Sequence, residues 1–154
     1  MAVRTLIADK SEIARVGLRG ILEPVARIAI VGEACDTAAM LRMIPELQPD
    51  VVLIDHTSDG FGAEAVRDAL RRNPRTRFIA ITPSPSQSAL MNALRAGVCS
   101  YIKKDCGREE IIDAVLHTGD GQKFFCGKIL RAIREASLDV DNLFGEALDC
   151  APVT

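Results

Sequence analysis

Apolar positions along the chain alternate between short continuous runs and helically spaced repeats. Residues 3–9 (VRTLIAD) form an apolar run that ends in an acid, which reads as a β-strand. Residues 11–23 follow with helical spacing: Ile13, Val16, Leu18 and Ile21 supply an apolar face, and Ser11 is placed to cap it. The same alternation repeats along the chain. RIAIVGEAC reads as a second strand, and DTAAMLRMIPELQ as a helix that Asp36 could cap. PDVVLID (49–55) is a continuous apolar strand of the fully buried type, again closed by an acid. After the polar loop HTSDGFG come the helix AEAVRDALRRN, the strand RFIAIT (77–82) and the loop PSPSQ. SALMNALRAG is a helix closed by Gly97, CSYIKKD a fifth strand, and GREEIIDAVLHTG a fifth helix.

Five βα units predict an α/β fold with a parallel sheet covered by helices on both faces. At this size the leading layout is a doubly wound five-stranded sheet in the order 2-1-3-4-5, flavodoxin-like in arrangement. Residues 1–120 make up that domain, and 121–154 form a helical extension. The order places the topological switch point between strands 1 and 3, where sites form at the carboxyl ends. The residues delivered there are Asp9 with Lys10, Asp55, Thr82, and the pair Lys103 and Lys104. Each alone is unremarkable; together they set acids, a hydroxyl and a lysine along one rim.

Composition narrows the function classes. The 154 residues are 48% apolar and 26% charged, as in an ordinary globular domain. A net charge of -2 and a pI near 5.7 argue against nonspecific nucleic-acid binding by this chain. No apolar run approaches the ~18 residues of a membrane span, and the start lacks a secretory h-region. The five cysteines (Cys35, Cys99, Cys106, Cys126, Cys150) contain no C-x-x-C pair. That pattern points to reduced thiols in a cytoplasm rather than a disulfide framework or zinc site.

A carboxylate at the end of a buried strand can attack phosphorus and form an acyl phosphate. The transfer needs positive charge on the phosphoryl oxygens, from Mg²⁺ and a lysine, and a hydroxyl to receive one oxygen. Asp55 fits the nucleophile, Lys104 the cation and Thr82 the hydroxyl, while Asp9 would give Mg²⁺ one carboxylate.

With those residues in place, the chain resembles a response-regulator receiver domain of two-component signalling over roughly residues 3–118. The resemblance rests on IAD with Asp9, PDVVLID with Asp55, IAIT with Thr82, and ALRAGVCSYIKKD with Tyr101 and Lys104. It implies a signalling module, not an enzyme, with Asp55 as phosphoacceptor and Lys104 as the phosphoryl-binding lysine. Thr82 and Tyr101 become the switch pair, Tyr101 moving inward as Thr82 is drawn towards phosphate. Asp9, Asp55 and the backbone carbonyl of Thr57 become the metal donors. YIKKD, with Asp105 where many receivers have proline, is similar to the NarL/LuxR-type branch. A sensor histidine kinase and a second copy of the chain are the implied partners.

Two departures from that pattern matter. Lys10 stands where receivers carry the second, more direct metal-binding acid, a change of two charge units. The loop after Asp55 lacks the usual Met-Pro. Two unit charges about 4 Å apart at an effective dielectric near 20 interact by about 4 kcal/mol. An ammonium that close to Mg²⁺ would cost about three powers of ten in affinity, and the missing carboxylate weakens binding in any case. The preferred expectation is that Lys10 pairs with Asp55 and Asp9, partly imitating the cation in a degenerate receiver. In the alternative, Lys10 lies outward and Asp55 is still phosphorylated. A phosphorylation-independent pseudo-receiver, acting as a protein-interaction or dimerisation module, stands beside both.

Other classes fit less well. A flavin carrier shares the layout but wants a Ser/Thr/Gly-rich phosphate loop after strand 1 and aromatics by the ring. DKSEIARVG is not such a loop, and aromatics total 4% with no Trp. A dehalogenase-type phosphatase wants Asp-x-Asp where Ser11 stands, and an adhesion module wants a longer Asp-x-Ser-x-Ser motif.

In the extension, Ile129, Leu130, Ile133 and Ala136 recur at helical spacing, and Leu143, Phe144, Ala147 and Leu148 form a second apolar set. Either these helices pack on the receiver, or they form a linker or dimerisation stripe. The resemblance implies a linker towards a DNA-binding domain, so that DNA is reached only through a domain not in this chain.

Overall fold

The computed structural model describes residues 1–135. Its strands are β1 (Val3–Ala8), β2 (Ile28–Ala34), β3 (Val51–Ile54), β4 (Arg77–Thr82) and β5 (Ser100–Lys103). Its helices are α1 (Glu12–Leu22), α2 (Thr37–Leu47), α3 (Ala63–Arg72), α4 (Gln87–Ala96), α5 (Arg108–Gly119) and α6 (Gly127–Glu135). The strands form one parallel sheet in the order β2-β1-β3-β4-β5, which is the doubly wound layout the pattern predicts.

The apolar runs explain the sheet. All four residues of β3 are fully buried, as a central strand covered on both faces requires. Each such side chain contributes roughly 1.5–3 kcal/mol relative to exposure. Register brings Ala8 beside Ile54, Ile54 beside Ala80, and Thr82 beside Lys103, so the strands end nearly level. Helices α1 and α5 pack together, and α2, α3 and α4 pack in succession.

Caps fix where the helices begin. Ser11 Oγ accepts from Ala14 N at 3.2 Å, and Asp36 Oδ1 from Ala39 N at 2.8 Å, as expected. Ser86 Oγ accepts from Ala89 N at 3.1 Å, so α4 starts earlier than its apolar spacing indicates. Gly97 closes α4 at φ 112°, where a Cβ would sit 2.7 Å from Leu70 Cδ1.

The apolar face of α1 differs from the expectation. Leu18 and Leu22 are buried, whereas Ile13 is 86% and Val16 62% exposed. A face centred on Leu18 and Leu22 leaves Ile13 and Val16 on the far side of the helix.

Within the extension, α6 lies against β5 and buries Ile129 and Ile133 completely in the same core as the sheet. The apolar set at Leu143, Phe144, Ala147 and Leu148, like Ala136, lies outside the described residues. Among the described residues, no helix is long and apolar enough to cross a membrane.

Candidate functional site

Three strand ends build the site. Asp9 follows β1, Asp55 follows β3 and Lys104 follows β5. Their backbones continue the sheet ladder: Asp9 N donates to Ala34 O, Asp55 N to Ala8 O and Lys104 N to Thr82 O. The ladder therefore fixes the direction of each side chain.

Both carboxylates are almost completely buried, Asp9 at 1% and Asp55 at 2% exposure. Lys104 Nζ lies 2.7 Å from Asp55 Oδ2 and 2.7 Å from Asp9 Oδ2. The contact to Asp55 is a hydrogen bond; that to Asp9 is an ion pair without hydrogen-bond geometry. The other carboxylate oxygens are satisfied locally. Ser11 N donates to Asp9 Oδ1 at 2.8 Å, and Thr57 donates to Asp55 Oδ1 from both N (2.9 Å) and Oγ1 (2.5 Å). Burial disfavours charge on Lys104, but the hydrogen bond to Asp55 and the close contact and charge of both acids outweigh it and hold its pKa above the usual lysine value.

Lys10 takes no part in this clamp. It is exposed, and among the described residues no acid pairs with its ammonium. The expected pairing of Lys10 with Asp55 and Asp9 is thus corrected: the ammonium between the acids belongs to Lys104. The chain leaves β1 before Asp9 and bends at Lys10, whose side chain is exposed. Arg15 Nη1 holds the backbone there by donating to Asp9 O (2.6 Å) and Lys10 O (3.2 Å).

Thr82 and Tyr101 are both fully buried and in contact, Thr82 Oγ1 donating to Tyr101 Oη at 3.3 Å. A third residue completes the group. His56 Nε2 lies 2.6 Å from Tyr101 Oη, and the two rings meet edge-on at 5.5 Å. Burial lowers the His56 pKa, with the Asp55 charge opposing; burial also pushes the Tyr101 phenol well above its usual range, the Thr82 hydrogen bond opposing. Both rings are therefore neutral at pH 7. Between Tyr101 Oη and His56 Nε2, which group donates follows the imidazole tautomer.

Sequence reasoning placed Asp9, Asp55, Thr82, Tyr101 and Lys104 in the site, and the structure gathers them into two linked clusters. It missed His56, whose signal was its place directly after the acid that closes a buried strand. For Thr57 it counted only the carbonyl, whereas the hydroxyl also binds Asp55.

Two buried carboxylates on neighbouring strands, one with an oxygen lacking a well-formed hydrogen bond, are the donor chemistry of a hard cation. The pair fits Mg²⁺ on the condition that Lys104 yields part of its place, and the third acid is absent at Lys10. A larger cleft of about 420 Å³ lies at the amino ends of the strands, lined by Asp50, Asn73, Arg75 and Thr76 among others. It touches none of the rim residues and has no part in this chemistry.

Comparison with known proteins points the same way. The family model for the response regulator receiver domain matches residues 5–116. The DNA-binding transcriptional activator DevR/DosR of Mycobacterium tuberculosis is 32% identical over 132 residues, covering 85% of this chain and 61% of that protein. The transcriptional regulatory protein LiaR of Bacillus subtilis is 31% identical over 139 residues, covering 87% and 66%. The chain thus spans a little under two thirds of the length of these relatives. A LuxR-family two-component response regulator from an Aurantimonas species superposes with a TM-score of 0.83 at 27% identity, covering 89% of this chain and 99% of that one.

Proposed function

The chain belongs to the response-regulator receiver family, and on that premise we propose that Asp55 is its phosphoacceptor, with Mg²⁺-dependent phosphorylation weakened by Lys10 at the place of the missing acid. The observation that carries this reading is the clamp: Lys104 Nζ at 2.7 Å from both Asp9 and Asp55, with Lys10 turned away. An Asp55 oxygen attacks the phosphorus of a phosphodonor, and the bond from phosphorus to the donor's leaving group breaks as the acyl phosphate forms. Lys104 is placed to take charge from the new phosphoryl oxygens. Thr82 is the hydroxyl that would turn from Tyr101 towards one of them. Asp9, Asp55 and the Thr57 carbonyl would hold Mg²⁺, which supplies further charge neutralisation during the transfer.

The relatives support a role as signal-input domain of a transcription regulator. In that role a sensor histidine kinase supplies the phosphoryl group, and DNA is contacted by a domain outside this chain. A second copy of the chain is the further partner; Ile13 and Val16 on α1 are exposed apolar side chains available to it.

A second reading rests on Tyr101. Its ring is already fully buried and bonded to Thr82 and His56 with no phosphoryl group needed to draw it in. That arrangement suits a pseudo-receiver acting through protein contacts alone. Incubation with acetyl phosphate and Mg²⁺, followed by phosphate-affinity electrophoresis, separates the two. The phosphoacceptor reading expects a retarded band that Asp55→Asn abolishes. No band, with acetyl phosphate or with a phosphorylated kinase, would leave the pseudo-receiver.

A further inference from the structure

Away from the rim, three side chains with ligating atoms converge where α5 meets α6. Cys106 sits just before the Gly107 cap of α5, and Glu110 lies in the first turn of that helix. Cys126 stands at the head of α6, its carbonyl accepting from Ile129 N and Leu130 N at 3.0 Å each. The two Sγ atoms and a Glu110 carboxylate oxygen all lie within 4.8 Å of one another. Both cysteines are buried, while Glu110 is half-buried and leaves one side open to water.

We propose that Cys106, Glu110 and Cys126 form a binding site for a borderline-soft divalent cation of the Zn²⁺ type, completed by a water. Tetrahedral zinc with bonds of about 2.3 Å to sulfur and about 2.0 Å to oxygen sets its ligand atoms about 3.5–3.8 Å apart. The three atoms need close by only about 1 Å to reach that geometry. Thiolates select such an ion over Mg²⁺, which prefers an all-oxygen shell. This inference stands whether or not Asp55 accepts phosphate.

A cation would take the Glu110 carboxylate as a third ligand beside the two buried thiols. Binding replaces one proton on each thiol with a metal–sulfur bond, so two protons leave per ion. The site would then carry three anionic ligands against two positive charges. Lys128, paired with Asp105 at 3.1 Å and within electrostatic reach of Cys106 and Glu110, offsets the excess.

The position gives the ion a consequence. Cys126 N donates to Tyr101 O at 3.3 Å, and Tyr101 N to Phe124 O at 3.0 Å. A bound ion would tie α6 to the loop after β5, one residue pair beyond Lys104.

Titration of the full reduced 154-residue chain with Co²⁺ tests the site. The expected result is one Co²⁺ per chain with a near-ultraviolet sulfur-to-metal charge-transfer band, and displacement of that ion by Zn²⁺. Cys126→Ser should abolish the band, and Glu110→Gln should weaken binding by about tenfold or more. Glu110 is half-buried, so its variant reports even where loss of a buried cysteine impairs folding. Replacing Cys35, Cys99 and Cys150 together by serine should leave the band intact. Absence of stoichiometric binding, or binding unchanged in both Cys126→Ser and Glu110→Gln, overturns the proposal. So does a Cys106–Cys126 disulfide that forms under mild peroxide while the reduced protein takes up no metal.

Discussion

The rim of the sheet and the α5–α6 junction each gather three charged or ionisable side chains, but they balance charge in different ways. At the rim, two buried carboxylates share an ammonium from the chain itself, with Lys104 2.7 Å from each. At the junction, two buried thiols and a carboxylate come together, and among the described residues no lysine forms an ion pair with Glu110. A metal entering the rim must therefore compete with Lys104. A metal entering the junction competes with protons, and its affinity rises with pH. The same fold thus holds one site already supplied with its cation and one that is not.

Removing the internal cation should break the contrast most sharply. Lys104→Met keeps the stem of the side chain as far as Cε but leaves Asp9 and Asp55 buried against each other. Breaking a fully buried pair costs roughly 3–5 kcal/mol. The Lys104 side chain is 24% exposed, so solvent reduces this to about 2–3 kcal/mol. The loss should appear in urea unfolding and be partly reversed by Mg²⁺, which takes over the vacated role. Adding Asp9→Asn should recover part of it without metal. An unchanged midpoint would mean that the clamp adds nothing to stability.

Lys10 offers a gentler probe of the same rim. Because it points outward, neutralising it should change Mg²⁺ affinity by less than about threefold. Lys10→Asp reverses the charge and offers a carboxylate at the family's missing position. An exposed carboxylate and a divalent ion at about 6 Å, at the dielectric of water near 80, interact by about 1.4 kcal/mol, so affinity should rise about tenfold. Isothermal titration with Mg²⁺ reads both. A large gain from Lys10→Ala would place the ammonium closer to the metal position than its exposure indicates.

How much of this was legible in the sequence depends on what each residue's position encodes. Asp9, Asp55, Thr82 and Lys104 each end an apolar run or stand just past it, and the 2-1-3-4-5 order brings those ends to one rim. The partner of the acids was not legible, because spacing does not report side-chain direction. Lys10 is adjacent to Asp9 in sequence, yet it lies exposed at the bend that follows β1. On α1, Ile13 and Val16 have the same apolar character as Leu18 and Leu22, and only packing decides which pair faces the core. The junction was least legible of all. Cys106 and Cys126 belong to no short ligand motif, and only the return of α6 onto β5 brings them together.

Tyr101 joins the two regions, and its variants give the smallest effect and the finest test. Its hydroxyl end reaches His56 and Thr82 at the rim, while its backbone pairs with Phe124 and Cys126 beside the thiols. Tyr101→Phe removes the rim contacts and keeps the backbone ones. A net hydrogen bond is worth about 0.5–1.5 kcal/mol, and His56 left buried with Nε2 unpaired adds to the loss, so about 1–2 kcal/mol should go. The pH dependence carries a sign. Burial lowers the folded-state pKa of His56, so the unfolded chain takes up its proton first as pH falls. Stability is therefore full above pH about 6.5 and declines below it until the folded imidazole also protonates. Replacing His56 by phenylalanine should remove that part of the acid decline, as read from unfolding midpoints between neutral and mildly acid pH. The Co²⁺ affinity of Tyr101→Phe should stay within about threefold of the parent if only the hydroxyl end serves the rim. A larger change would make the phenol a coupling element, and by linkage metal at the junction would then alter the rim by the same factor.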